Sequence, residues 1–135
     1  MTLQEHIEFL ASTHGVTVDW RKRTNARAWR KTRRVRLQFI RHAGNYAIAL
    51  HELGHVLGCN SGSRCNKERQ AWEWALAHAI PGSFEVMGWA AMYLSMFSYI
   101  EWAGARQYRE HARPVVPDSK FMALFYAAKA RAGIQ

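Results

Sequence analysis

At 135 residues, 49% of them hydrophobic, the chain is long enough for one domain (1–135) that buries a core without disulfides, and it is too apolar to be disordered throughout. Its two cysteines, Cys59 and Cys65, make neither a disulfide framework nor a Cys-x-x-Cys metal knuckle, so two free thiols in a cytoplasmic protein are expected. The formal net charge of +9 is unevenly placed: Arg21, Lys22, Arg23, Arg27, Arg30, Lys31, Arg33, Arg34, Arg36 and Arg41 have no acidic residue between them.

The first residues, Met1 to His6, lack the basic start and continuous apolar run of a secretory signal. Thr2-Leu3-Gln4-Glu5 fits a capping box, Leu3, Ile7, Leu10 and Ala11 continue as a helical stripe, and Gly15 ends it. His6 and His14 are expected at the surface. Val16-Thr17-Val18-Asp19-Trp20 has the composition of a short strand.

A second β-prone stretch runs from about Ala28 to Ile40. Within it Val35, Leu37 and Phe39 alternate with Arg34, Arg36 and Gln38, which predicts one face on the core and one basic face outward. Trp29 is a candidate for a preceding strand turned around Lys31-Thr32-Arg33, though no Asn-Gly or Asp-Gly fixes that hairpin. The arginines, Arg33, Arg34 and Arg36 among them, fit three readings: contact with nucleic acid, contact with an acidic protein, or a solvated strand face.

Tyr46 to Leu57 reads as one amphipathic helix, with Asn45 as its cap, His42 as a candidate supporting group and Gly58 just past its end. It carries His51-Glu52-Leu53-Gly54-His55. At about 3.6 residues per turn, His51 and His55 project from the same side and can reach one tetrahedral metal ion. Glu52 is placed as a general base toward water activated by that metal. A core helix with hydrogen-bonded histidines is the alternative, and it gives the carboxylate between two imidazoles no purpose.

After a turn-rich loop, Asn66 is expected to cap a helix from Lys67 to Ile80, ended by Pro81-Gly82. A zinc site needs a third protein ligand. Ser61 stands where a histidine would extend the motif, and serine binds zinc poorly. Helical phase, at about 100° per residue, groups Glu68 with Ala71, Trp72, Ala75 and Ala79 and turns Glu73 away, so Glu68 is the predicted ligand, with an ordinary first-turn glutamate favouring the helix dipole as the alternative, and Glu73 is predicted to be solvated.

His51-Glu52-Leu53-Gly54-His55, followed by Glu68-Arg69-Gln70-Ala71-x-x-Trp74-Ala75 and Ala79-Ile80-Pro81, resembles the ImmA/IrrE family of zinc metallopeptidases. In that family a His-Glu-Leu-Gly-His helix precedes a helix of the form Glu-x-x-Ala-x-x-Phe-Ala. The resemblance covers roughly residues 1–82, with Trp74 in place of the phenylalanine and no family pattern beyond. It implies Zn2+ held by His51, His55 and Glu68, Glu52 as catalytic base, and a protein substrate such as a DNA-binding repressor.

The remainder, 83–135, is predicted to be helical. Ser83 caps a helix from Phe84 that buries almost all round as far as Tyr108, with Gly104 as a possible division, and Pro114 and Pro117 mark a linker. Asp118 caps a last helix with the stripe Phe121, Leu124, Phe125 and Ala128. The uncharged run from Val86 to Ile100 falls short of the ~20 residues that cross a bilayer, so no membrane role is expected.

Together these features predict an α+β, zincin-like fold: a small twisted sheet packed on the metal-binding helix, a core with the zinc site in 1–82, and a helical C-terminal part. The expected activity is that of a zinc-dependent endopeptidase. The alternative is a non-catalytic nucleic-acid- or protein-binding accessory module that uses the arginine-rich segment 21–41. The strand around Arg34 to Phe39 is expected to align an extended substrate by strand addition. His78, Tyr93, Tyr99 and Arg106 are candidates for an oxyanion donor, with none assigned.

Overall fold

The computed structural model describes residues 1–111 and 117–135, with side chains left out for 104–111. Pro114 and the Arg106 side chain therefore lie outside the described residues. Those described form an α+β fold of five helices and one three-stranded mixed sheet.

The first helix, α1 (Leu3–Thr13), has the reciprocal capping box: the Thr2 hydroxyl accepts from the Glu5 amide at 3.0 Å, and the Glu5 carboxylate accepts from the Thr2 amide at 3.1 Å. Ile7, Leu10 and Ala11 are buried. Gly15, at φ +66°, turns the chain into β1 (Thr17–Arg21).

Next come β2 (Arg27–Trp29) and β3 (Arg34–Gln38), paired antiparallel, while β1 runs parallel to β3 on its other side. The order β1-β3-β2 puts β3 in the centre. β3 is paired with β1 along its whole length and with β2 over Arg34 to Arg36, which confines strand addition at β3 to Leu37 and Gln38 on the β2 side. The β2–β3 turn is closed by Arg33 at φ +50°, a left-handed position taken without glycine or asparagine. Val35 and Leu37 face the core as expected, but Phe39 does not. It follows the last strand residue, is 43% exposed, and stacks on Trp20 instead.

The central helix, α2 (Ala43–Leu57), starts three residues earlier than the sequence suggested, and its cap is His42 rather than Asn45. The His42 imidazole accepts from the Asn45 amide at 3.3 Å, and the Asn45 side-chain oxygen accepts from the Arg41 amide at 3.1 Å. Helix α3 (Arg64–His78) is likewise capped earlier, by Ser63 in place of Asn66. His6 is a further correction. Its ring is half-buried, with Nδ1 2.6 Å from the hydroxyl of fully buried Tyr46, which also accepts from the Ile80 amide at 3.1 Å. One phenol thus ties α1, α2 and the end of α3 together.

Helix α4 (Glu85–His111) begins one residue later than predicted and runs on through Gly104 as one element. It is not buried all round: Val86, Met87, Leu94, Phe97 and Trp102 are exposed, while Met92 and Met96 face inward. Helix α5 (Ser119–Arg131) is capped by Asp118, whose carboxylate accepts from the Phe121 amide at 2.9 Å. Phe121, Phe125 and Ala128 join Ile7, Leu37, Leu50, Trp72 and Met92 in a single hydrophobic cluster, so α4 and α5 share the core that supports α2. Among the described residues no helix is long and apolar enough to cross a membrane.

Candidate metal centre

The site is built on two helices that approach at glycine. A Cβ placed on Gly54 would lie 2.4 Å from the Ala71 carbonyl oxygen, and one on Gly58 would lie 3.1 Å from the Trp74 Cβ. Only bare backbone at Gly54 admits α3 at this distance. Glu68 lies three residues before Ala71, so this contact sets how far its carboxylate reaches across to α2.

That carboxylate meets both imidazoles. Glu68 Oε2 is 2.8 Å from His51 Nε2, and Oε1 is 3.3 Å from His55 Nε2. The three residues offer ligand atoms that all lie within 4.8 Å of one another. His51 is buried, with its ring stacked on fully buried Trp72 at 4.2 Å and 10°, which fixes the imidazole plane. Glu52 projects beside the cluster, its Oε1 3.7 Å from His51 Nδ1.

The electrostatics agree with this arrangement. Burial raises the Glu68 carboxyl, but hydrogen bonds and charge from His51, then His55, outweigh it and hold the group well below the usual carboxylate range. Burial alone pushes His51 down, and the Glu68 carboxylate against its Nε2 reverses the sign, leaving it raised. A carboxylate kept ionised against two ring nitrogens is a donor set that suits zinc. Tetrahedral zinc, at about 2.0–2.1 Å from each donor, spaces its ligands roughly 3.3 Å apart. The 3.3 Å from His55 and the 2.8 Å from His51 run to different oxygens of the Glu68 carboxylate, and with one ligand atom from each residue lying within 4.8 Å of the others the group could hold such an ion.

Compared with protein-family models, curated proteins and solved structures, the chain matches none. His51, Glu52, His55 and Glu68 therefore carry the functional reading by their geometry alone.

Two cavities flank Glu52. One, about 550 Å³, is lined by Asn25, Gln38, Asn45, Ser95 and Ser98 together with His51 and Glu52. The other, about 450 Å³, is lined by Arg27, Arg30, Asn60 and Arg64 together with Glu52, His55 and Glu68. Ala26 and Glu52 border both, so a cleft passes His51, His55 and Glu68 along β2.

His78 stacks on Trp74 at 4.0 Å and bonds its carbonyl at 2.8 Å, apart from the cluster. Tyr93 stacks on Phe125. Tyr99 packs on Phe121, and burial first, then the charge of Cys65 and of Glu68, pushes its hydroxyl up to about 12. Glu73 pairs with Arg69 on the exposed side of α3. His42 caps α2 and lines neither cavity.

Sequence reasoning missed Arg30. Its guanidinium donates to the His55 carbonyl at 3.0 Å and the Gly58 carbonyl at 2.8 Å, closing the last turn of α2 under the second imidazole. Asn60 and Arg64 were missed for the same reason: loops and helix starts bring them to the cleft, and no spacing rule announces them.

Proposed function

We propose that the chain is a zinc-dependent endopeptidase with a zincin-like fold, similar to the ImmA/IrrE metallopeptidases, acting on a regulatory protein such as a DNA-binding repressor. The observation that carries this reading is Glu68 of α3 directed at His51 Nε2 and His55 Nε2 of α2, with Glu52 beside them on an open cleft.

His51, His55 and Glu68 would hold the ion, which when bound supplies a Lewis acid that polarises a carbonyl and acidifies water. Glu52 takes the proton from the attacking water on its carboxylate and returns it to the departing amine nitrogen. Trp72 keeps the His51 ring in plane, and Arg30 keeps the His55 turn closed. β2 presents an outer edge that pairs with no strand among the described residues, and its residues border the cleft, so an extended peptide is oriented there.

The experiment is incubation of zinc-loaded wild type and Glu52→Gln with a panel of repressor and other regulatory proteins. Cleavage by wild type that is lost in Glu52→Gln, with zinc retained, supports the reading. Equal cleavage by both refutes it.

A further inference from the structure

The face of the sheet turned away from the core carries an unusual charge arrangement. In register it presents Trp29 opposite Arg34, Arg27 opposite Arg36, and Asp19 on the far side of Arg36. Arg27 and Arg36 are thus like charges directly across a strand pair, which destabilises a sheet. The lone carboxylate in these rows, Asp19, is engaged by Arg21 through two hydrogen bonds of 3.0 and 2.9 Å. Among the described residues Arg27, Arg34 and Arg36 form no salt bridge; instead their guanidiniums lie 5.2, 4.2 and 5.8 Å from the centroid of the one Trp29 ring.

We infer that this face binds single-stranded nucleic acid. Its charge is supplied by guanidinium forks, which match phosphate oxygens two at a time, rather than by lysines. Positive charges repeat along and across the strands, roughly 6.6–6.8 Å and 4.7–4.9 Å apart, a pattern that a flexible phosphate chain can follow. Trp29 adds an aromatic ring on which an unpaired base stacks once Arg34, now 4.2 Å over it, turns to a phosphate, while the paired bases of a duplex cannot reach it. The self-repulsion of Arg27 and Arg36 is relieved when the polyanion arrives. None of this depends on the metal.

The test is fluorescence anisotropy of the full chain with a labelled oligothymidylate about twenty nucleotides long, titrated against KCl. Binding should weaken steeply with salt, and Arg27→Gln/Arg34→Gln/Arg36→Gln should lower the log–log slope by about two, at about 0.7 per lost phosphate contact. Trp29→Leu should weaken binding roughly tenfold with the slope unchanged. The corresponding triple lysine variant keeps the slope. Should the triple glutamine variant fail to fold, Arg34→Gln alone is expected to lower the slope by about 0.7. An unchanged slope in a folded glutamine variant, a duplex of equal length bound as tightly, or displacement by polyglutamate at equal charge would each overturn the inference. Zinc content and proteolysis do not enter the readout, so its failure is distinct from failure of the peptidase reading.

Discussion

Gly54 of α2 and Ala71 of α3 meet backbone to backbone, with room for no side-chain atom at Gly54 between them. Alanine is the better helix former by about 1 kcal/mol, yet the carbonyl it would strike cannot swing aside, so overpacking of about 1–3 kcal/mol prevails. Gly54→Ala should therefore lower the urea midpoint of the zinc-free protein and, by moving α3 outward, weaken zinc binding at Glu68. A variant as stable as wild type with unchanged zinc affinity would show that this contact does not set the site.

Arg30 gives a second handle on the same helix. Arg30→Met leaves the His55 and Gly58 carbonyls without their guanidinium donor. Charged hydrogen bonds contribute about 1.5–3 kcal/mol, and solvent screening of this exposed side chain reduces that to about 1 kcal/mol. Denaturant unfolding should register this loss. Hydrogen exchange should show faster opening of the last turn of α2, with the amides near Tyr46 unaffected.

His6 supplies a pH dependence. Burial, and secondarily the charge of His78, lowers its pKa in the folded protein. A lowered histidine pKa means that the fold prefers the neutral ring, so its contribution is complete above the unfolded value of about 6.5 and is lost as pH falls below that toward the folded value. Protonation also leaves Nδ1, 2.6 Å from the Tyr46 hydroxyl, able only to donate. Between pH 7 and 5, wild type should lose more stability than His6→Gln in urea unfolding. The difference between the two proteins is what isolates His6, because the raised pKa of His51 in the zinc-free protein acts with the opposite sign.

Zinc removal should destabilise the chain. A ligand held only by the native state stabilises it by about 2.7 kcal/mol at a free concentration one hundred times its Kd. Chelation should therefore lower Tm in wild type and in Glu52→Gln alike, and should do little to Glu68→Gln, which lacks one donor. A chelator-induced shift of full size in Glu68→Gln would count against its role as ligand.

What the sequence disclosed followed from periodicity and local chemistry. The four-residue spacing of His51 and His55 is a property of one helix, and the phase that separated Glu68 from Glu73 matches where the two side chains lie, one on the imidazoles and one on Arg69. The caps at Thr2 and Asp118 are equally local. What escaped notice depended on tertiary structure. The parallel pairing of β1 with β3, which puts β3 in the centre, joins segments separated by the β2 excursion, and alternation in β3 is the same at an edge or in the middle. Arg33 closes a hairpin in a conformation that arginine rarely adopts, and a histidine caps α2 where asparagine was the statistical choice. Phe39 kept the strand's alternation after the strand had ended. Gly54 was legible as part of the motif, but its reason, the Ala71 carbonyl, belongs to another helix.

The central claim is tested most directly by metal content. Purified wild type and Glu52→Gln are expected to contain one zinc per chain, and His51→Ala, His55→Ala and Glu68→Gln to contain far less after the same dialysis. Zinc-free wild type prepared in zinc-replete medium, or full zinc occupancy in Glu68→Gln, would contradict the assignment of these three side chains to a single ion.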